Sequence, residues 1–263
     1  MDKKLKISVG ICVKKPSEKL SKLINEIPTG CCIYIVSGER SNEKIQSKSH
    51  EIDYTVIEDS KHGYDLVRNR KSIFDKFNES TANLLLFLDD DEHFPLNHPD
   101  FFNFLNSSQD VGMLAHQNMY NGRTVRCTGK NYHARLLKKG EFPLEGKVIE
   151  RVGGRFTKLK LQTRIKHDFL SSGMEDFVWR ANRWAKENAS GRDAHGMRPW
   201  VQNIRKKIDV LAPFARFFYH YAIKGGFLDG RVGFYVSCNY ALSEYLAILY
   251  KYEKTAQSEG KIK

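Results

Sequence analysis

Leu84-Leu85-Leu86-Phe87-Leu88-Asp89-Asp90-Asp91-Glu92 is a run of five large apolar residues that ends in four carboxylates. A strand with no polar face must be covered on both sides, which is the condition of strands in a mostly parallel sheet sandwiched by helices. In such sheets ligands bind outside the carboxyl ends of the strands, so the acidic cluster stands where chemistry is placed. Four adjacent anions repel one another, and a shared cation relieves the repulsion. Asp89 and Asp91 project to a similar side of an extended segment. They are hard oxygen ligands of the kind Mg²⁺ or Mn²⁺ takes together with substrate phosphates. The competing reading is the first turn of a helix, where acidic side chains meet the positive end of the dipole.

Upstream, strand and helix patterns alternate. Lys6–Val13, Cys32–Val36 and Asp53–Ile57 are short and rich in β-branched residues, as strands are. Between Pro16 and Ile27 the apolar residues Leu20, Leu23, Ile24 and Ile27 fall at helical spacing, with Ser17 placed to cap the start. Val67–Phe77 reads as a second helix. The alternation predicts an α/β fold. Downstream, Val111–Ala115 and Asn131–Leu137 look like strands, and from Glu175 the chain reads helical, with breaks at Gly191, Pro199, Pro213 and Gly225–Gly226.

Two further features lie near the acidic run. Arg68, in Gly63-Tyr64-Asp65-Leu66-Val67-Arg68-Asn69-Arg70, stands at a helix start and suits bidentate phosphate contact; the alternative is a pair of solvated arginines. His167 ends the strand-like run Leu161–His167 and suits metal or phosphate, although an isolated histidine is more often structural.

The 263 residues carry a formal net charge of +12, and 41% are hydrophobic, enough for a core and against a disordered chain. The charge is uneven: residues 1–115 carry −3, residues 116–170 carry +9 and residues 171–263 carry +6. The excess calls for an anionic partner. Sixteen of the 31 aromatic residues follow residue 170. The division expected is therefore 1–170, with its basic part at 116–170, and 171–263 as a helical, basic and aromatic extension. The longest aliphatic run falls far short of the roughly 20 residues of a membrane span. The start, MDKKLKISVGICV, has no secretory pattern, so a cytoplasmic protein is expected. Five cysteines without a CxxC pair read as reduced thiols.

The acidic run, Arg68-Asn69 and His167 together resemble glycosyltransferase family 2 of the GT-A fold, in particular its bacterial lipopolysaccharide-core glucosyltransferase branch. The resemblance covers roughly residues 6–90 and 131–253. It extends to Ala134-Arg135-Leu136-Leu137, to Gly146-Lys147-Val148-Ile149-Glu150 and, most specifically, to Tyr221-Ala222-Ile223-Lys224-Gly225-Gly226-Phe227-Leu228-Asp229-Gly230 with Gly233-Phe234. It implies inverting transfer of a hexose from a nucleotide sugar, of UDP type, with Mn²⁺ or Mg²⁺, to an anionic glycolipid or saccharide. It also implies a nucleotide site at Val13, Ser37, Glu39, Arg68, Asp89 and Asp90, and a metal at Asp89, Asp91 and His167. Glu150 is then the catalytic base, against the alternative of a salt bridge with Arg151, and Asp176 is the second candidate. The chain departs from the pattern at Lys14-Lys15, at Val36-Ser37-Gly38-Glu39 and at Ile149, which bears on the donor.

Arg205-Lys206-Lys207 leading into Ile208, Leu211, Phe214, Phe217, Phe218 and Tyr221 suits either peripheral contact with the inner face of the cytoplasmic membrane or packing in the core. A sugar-phosphate nucleotidyltransferase would share the metal carboxylates, but Ser8–Pro16 holds no Gly-rich phosphate loop. A nucleic-acid-binding protein would explain the charge, but the basic half carries no nucleic-acid motif.

Overall fold

The structure, a computed structural model, describes residues 5–39, 51–57, 66–95, 99–129, 131–140, 144–145, 151–152, 156–168, 173–189 and 209–259. Glu150, the expected breaks at Gly191 and Pro199, and Arg205-Lys206-Lys207 lie outside the described residues. Two compact units are present: Met1–Gln117 with Lys130–Asp168, and Asn118–Gly129 with Phe169–Lys263. A single cut near residue 170 is the one the sequence suggests. In the structure Asn118–Gly129 also joins the second unit, where Val125 and Cys127 bury with Val236.

The first unit is an α/β sandwich. Its strands β1 (Ile7–Val13), β2 (Cys32–Ser37), β3 (Ile52–Val56) and β4 (Leu84–Leu88) are joined through α1 (Glu18–Glu26) after β1 and α2 (Leu66–Glu79) before β4. After α3 (Pro99–Asn106) come β5 (Val111–Tyr120), β6 (Arg123–Thr124), β7 (Tyr132–Lys138), the short pair β8 (Leu144–Glu145) and β9 (Arg151–Val152), and β10 (Lys158–Asp168). The main sheet runs β10-β5-β7-β4-β1-β2-β3, with β6 paired to β5. It is parallel across β4-β1-β2-β3, and β7 lies antiparallel to both β4 and β5.

Alternation along β4 explains its unbroken apolar run. Leu84, Leu86 and Leu88 face one layer with Leu20, Leu23 and Ile24 of α1 and Phe101 and Phe104 of α3. Leu85 and Phe87 face the other with Ile73, Phe74 and Phe77 of α2. So α1 and α2 cover opposite faces, and the chain turns from one direction to the other between β1 and β4. Gly10 lets α2 come close: a Cβ there would stand 2.6 Å from Ile73 Cγ2 and 3.1 Å from Phe87. Ser17 is the N-cap of α1 in extended conformation, but its side chain makes no capping hydrogen bond, contrary to the sequence reading.

The second unit contains α4 (Gly173–Asn188), α5 (Ala212–Phe218) and the 29-residue α6 (Gly230–Ser258). Pro213 begins α5 rather than breaking it, because the first turn needs no amide donor there. The Gly225–Gly230 box is the turn into α6. Gly225 takes φ +77°, and a Cβ on Gly233 would overlap the Gly226 carbonyl oxygen. Asp229 Oδ2 accepts from the Arg126 and Cys127 amides at 2.7 and 3.0 Å. No helix among the described residues is long and apolar enough to cross a membrane. All five cysteines are free.

Candidate active site

The reversal between β1 and β4 makes their carboxyl ends the topological switch point, the crevice in which such sheets take ligands. Val13, Ser37 and Leu88 end the three strands that meet there. Val13 is in the core, and its carbonyl accepts from Gly38 N at 3.0 Å. Ser37 is fully buried; its Oγ lies 2.6 Å from the Glu39 carbonyl and 3.4 Å from that of Lys14, tying the two loops together. Glu39 is exposed and pairs with Lys14 at 3.8 Å. A cavity of about 1360 Å³ opens at the amino ends of the same strands, lined by Ile7, Ser8, Cys32 and Ile52, away from this crevice.

The acidic run folds into a tight turn. Glu92 N donates to the Asp89 carbonyl at 3.1 Å, and Asp89 N donates to Glu92 Oε2 at 2.9 Å. Glu92 also bridges antiparallel to His167, with Asp168 N on the Asp91 carbonyl at 2.8 Å and His93 N on the Lys166 carbonyl at 2.9 Å. This pairing with the end of β10 sets His167 Nε2 3.2 Å from Asp91 Oδ2.

Arginines meet much of the negative charge. Arg70 Nη2 donates to Asp89 Oδ1 at 2.8 Å. Arg135 Nη2 reaches Asp89 Oδ2 and Glu92 Oε1, both at 2.7 Å, and His116 Nε2 lies 2.8 Å from Glu92 Oε1. Arg70, Arg135 and Glu92 are almost wholly buried. Burial alone would raise the Asp89 carboxyl, but the guanidiniums of Arg135 and Arg70 outweigh it and hold it far below the usual carboxylate range. Asp90 makes no arginine pair among the described residues. Burial and the charges of Asp91 and Asp89 push it up to about 6, with Lys19 pulling the other way.

Three histidines adjoin this network. His116 stacks on His133 with ring centroids 4.3 Å apart and lies 5.4 Å from His167. Burial, then the charges of His116 and Arg135, press His133 down to about 3. Burial would lower His167, but its bond to Asp91 and the charges of Asp91, Glu92 and Asp89 raise it. Outside the crevice, His93 sits between Glu26 (Nδ1, 2.8 Å) and Asp168 (Nε2, 3.1 Å) and steadies the chain after the turn. The Cys12 thiol, at the end of β1, is pushed up to about 12 chiefly by burial and is no nucleophile.

The residues expected from the sequence are partly gathered. Asp89, Asp90, Asp91 and His167 stand together, and Val13, Ser37 and Glu39 end the neighbouring strands. Arg68 is on α2, and Arg70 of the same helix joins Arg135 on Asp89. Asp176 lies in α4 of the second unit, and its side chain is outside what is described. Sequence reasoning assigned no role to Arg70, Arg135, His116 or His133. The place of His133 and Arg135 on β7 was legible, but a register shift in the β5–β7 pairing falls at Arg135, so simple alternation along β7 does not give its face. Among the described residues no group of three or more His, Cys, Asp or Glu is disposed to hold a metal ion; the nearest arrangement is the pair Asp91–His167.

No protein-family model matches the chain, and no curated protein does either. Three solved structures of Staphylococcus aureus TarS are similar at low identity. One is 14% identical with TM-score 0.40, covering 85% of this chain and 45% of its own. The TarS 1–349 structure with UDP is 13% identical with TM-score 0.41, covering 97% and 92%. That with UDP-GlcNAc is 12% identical with TM-score 0.39, covering 98% and 93%. The chain thus spans less than half of the first of these.

Proposed function

We propose that the protein is an inverting, metal-dependent glycosyltransferase of family 2. It would transfer a hexose from a UDP-type nucleotide sugar to a hydroxyl of an anionic bacterial surface glycan or glycolipid of the lipopolysaccharide-core kind. The observation that carries this reading is the acidic turn itself, set at the switch-point crevice with Asp91 against His167. The family resemblance of the motifs adds the reaction class.

Asp91 and His167 offer a carboxylate oxygen and an imidazole nitrogen at one point, two donors of the kind Mn²⁺ takes, and Asp89, whose oxygens also meet Arg70 and Arg135, is the proposed third ligand. A divalent ion bound there would offset the charge of the departing diphosphate. The chain's own part is to fix that geometry: Arg70 and Arg135 hold Asp89, and the β10 pairing orients His167. Val13, Ser37, Glu39, Arg68 and Asp90 form the nucleotide end of the crevice in this reading. Glu150 is the proposed base that takes the acceptor hydroxyl's proton, with Asp176 the alternative.

The protein is proposed to work in the cytoplasm against the inner membrane face, with no role for nucleic acid. The strongly exposed Val210, Phe214, Phe218 and Ile223, with Lys224 and Arg231 nearby in sequence, support that contact.

The test is release of free nucleotide from a panel of UDP-, GDP- and CMP-sugars with Mn²⁺. Turnover of one donor, lost on chelation and in Asp91→Ala, is expected. A folded protein that turns over no donor in the presence of an anionic glycolipid acceptor would overturn the reading.

A further inference from the structure

Helix α6 has a buried face and, opposite it, an exposed apolar face. One face, with Gly233, Val236, Ser237, Ser243 and Glu244, is buried within the second unit. On the opposite side Tyr235, Cys238, Leu242, Tyr245, Leu249 and Tyr252 follow one another at intervals of 3, 4, 3, 4 and 3 residues. Tyr235, Tyr245 and Leu249 are 44–51% exposed, and Tyr252 is 73% exposed. An alternation of 3 and 4 is the 3.5-residue repeat by which one helix seats against another, side chains of one filling gaps of the other. A bilayer surface asks only for an apolar face, which the same spacing supplies, so the charges around the stripe decide between the two.

The charges at the stripe's ends identify the occupant. Arg231 stands four residues before Tyr235 and seven before Cys238, and Glu253 stands four after Leu249, so helical spacing puts both on the stripe's side. Both are exposed, and neither has an ion-pair partner among the described residues. The flanking positions between them, Ala241, Leu246 and Ile248, are uncharged. Lys251, near one end, is already engaged by Asp209 at 3.6 Å. A surface that is apolar at its centre, with one positive end and one negative end, complements a copy of itself laid antiparallel. Each Arg231 then meets the other copy's Glu253. A parallel copy would set like charge on like.

We propose that α6 is a dimerisation face. Two copies of the chain pack their stripes antiparallel about a two-fold axis between Leu242 and Tyr245, so that Tyr235 of each opposes Tyr252 of the other. Such a two-fold contact is self-complementary and closes at two copies. It uses none of the acidic-turn residues and stands independently of the reaction assigned to them.

Sedimentation equilibrium of the full chain tests this. The expected result is a dimer at micromolar concentration. Tyr245→Glu with Leu249→Glu should raise its dissociation constant about 100-fold or more, with far-ultraviolet circular dichroism unchanged. Arg231→Glu should weaken it, and Arg231→Glu with Glu253→Arg should restore it. In a Cys238→Ser background, Leu242→Cys should cross-link across the axis under mild oxidation. Tyr252→Cys, about 25 Å from its counterpart at 1.5 Å of rise per residue, should not. A wild-type monomer overturns the proposal, as does a dimer that Arg231→Glu leaves undiminished or that the added Glu253→Arg fails to restore. A monomer whose vesicle binding is lost in the Tyr245→Glu, Leu249→Glu variant assigns the stripe to a membrane and overturns it equally.

Discussion

Asp91 and His167, 76 positions apart in the chain, meet with Oδ2 and Nε2 3.2 Å apart because the acidic turn after β4 pairs with the last residues of β10. Substituting either residue separates site from fold. Asp91→Asn and His167→Ala should each lower kcat/KM for nucleotide release about 100-fold or more, as loss of a group acting on developing charge does. Both should also weaken Mn²⁺ binding followed by calorimetry while leaving the denaturation midpoint close to wild type. Unchanged Mn²⁺ affinity in both variants would remove the pair from the metal site.

Arg135 has the opposite character. It holds Glu92 and Asp89 from a buried position, so Arg135→Met takes the guanidinium from a Glu92 carboxylate that has no exposed side-chain surface and leaves it His116 and the Asp89 amide. Breaking such a buried pair costs about 3–5 kcal/mol. Urea denaturation should show that loss, and Arg135→Met with Glu92→Gln should recover part of it. A loss no larger in the single variant than in the double would mean that the pair is uncoupled.

Close packing of α2 on β1 gives a third prediction. Gly10→Val should destabilise the first unit by about 1–3 kcal/mol, because the added branch meets Ile73 and Phe87 where Gly10 leaves no room. Thermal unfolding of the purified variant checks this, and a midpoint equal to wild type counts against the packing described.

His220 in the second unit supplies a pH dependence. It is buried against Tyr240, ring centroids 3.8 Å apart, with Nδ1 2.8 Å from the Cys127 carbonyl. Burial depresses its pKa, and the charges of Arg216 and Lys224 add to that, with the Cys127 carbonyl opposing. The folded state therefore binds a proton less readily than the unfolded chain. The stability this represents is complete above the ordinary value of 6.5 and is lost as pH falls from there through the depressed folded value. Stability measured from pH 7.5 to 5 should fall, and His220→Phe should flatten the slope. An unaltered slope in that variant would assign the acid sensitivity to other groups.

Much of the first unit was legible. Leu84–Leu88 announces a strand covered on both faces, and Leu20, Leu23, Ile24 and Ile27 announce the covering helix, because burial periodicity is local. Helix α3 was not seen: Phe101, Phe104 and Leu105 give it barely two turns of pattern. In the second unit Pro213 read as a break but starts α5, since proline ends a helix in its interior and suits its first turn. The acidic run was read as a site, and its repulsion as calling for a metal. The structure shows relief of another kind, from Arg70 and Arg135. Arg68 was read as a phosphate contact, and two residues further along the same helix Arg70 bonds Asp89.

The sequence alone determined that a mostly parallel, helix-covered sheet ends in four carboxylates, since hydrophobic alternation and adjacency along the chain require nothing from afar. Tertiary structure decided which charges answer them. Arg135 comes from β7, the neighbour of β4, and His167 from the end of β10, the far strand of the sheet. Strand order and register select those partners, and a side chain's periodicity specifies its face but not what lies across from it.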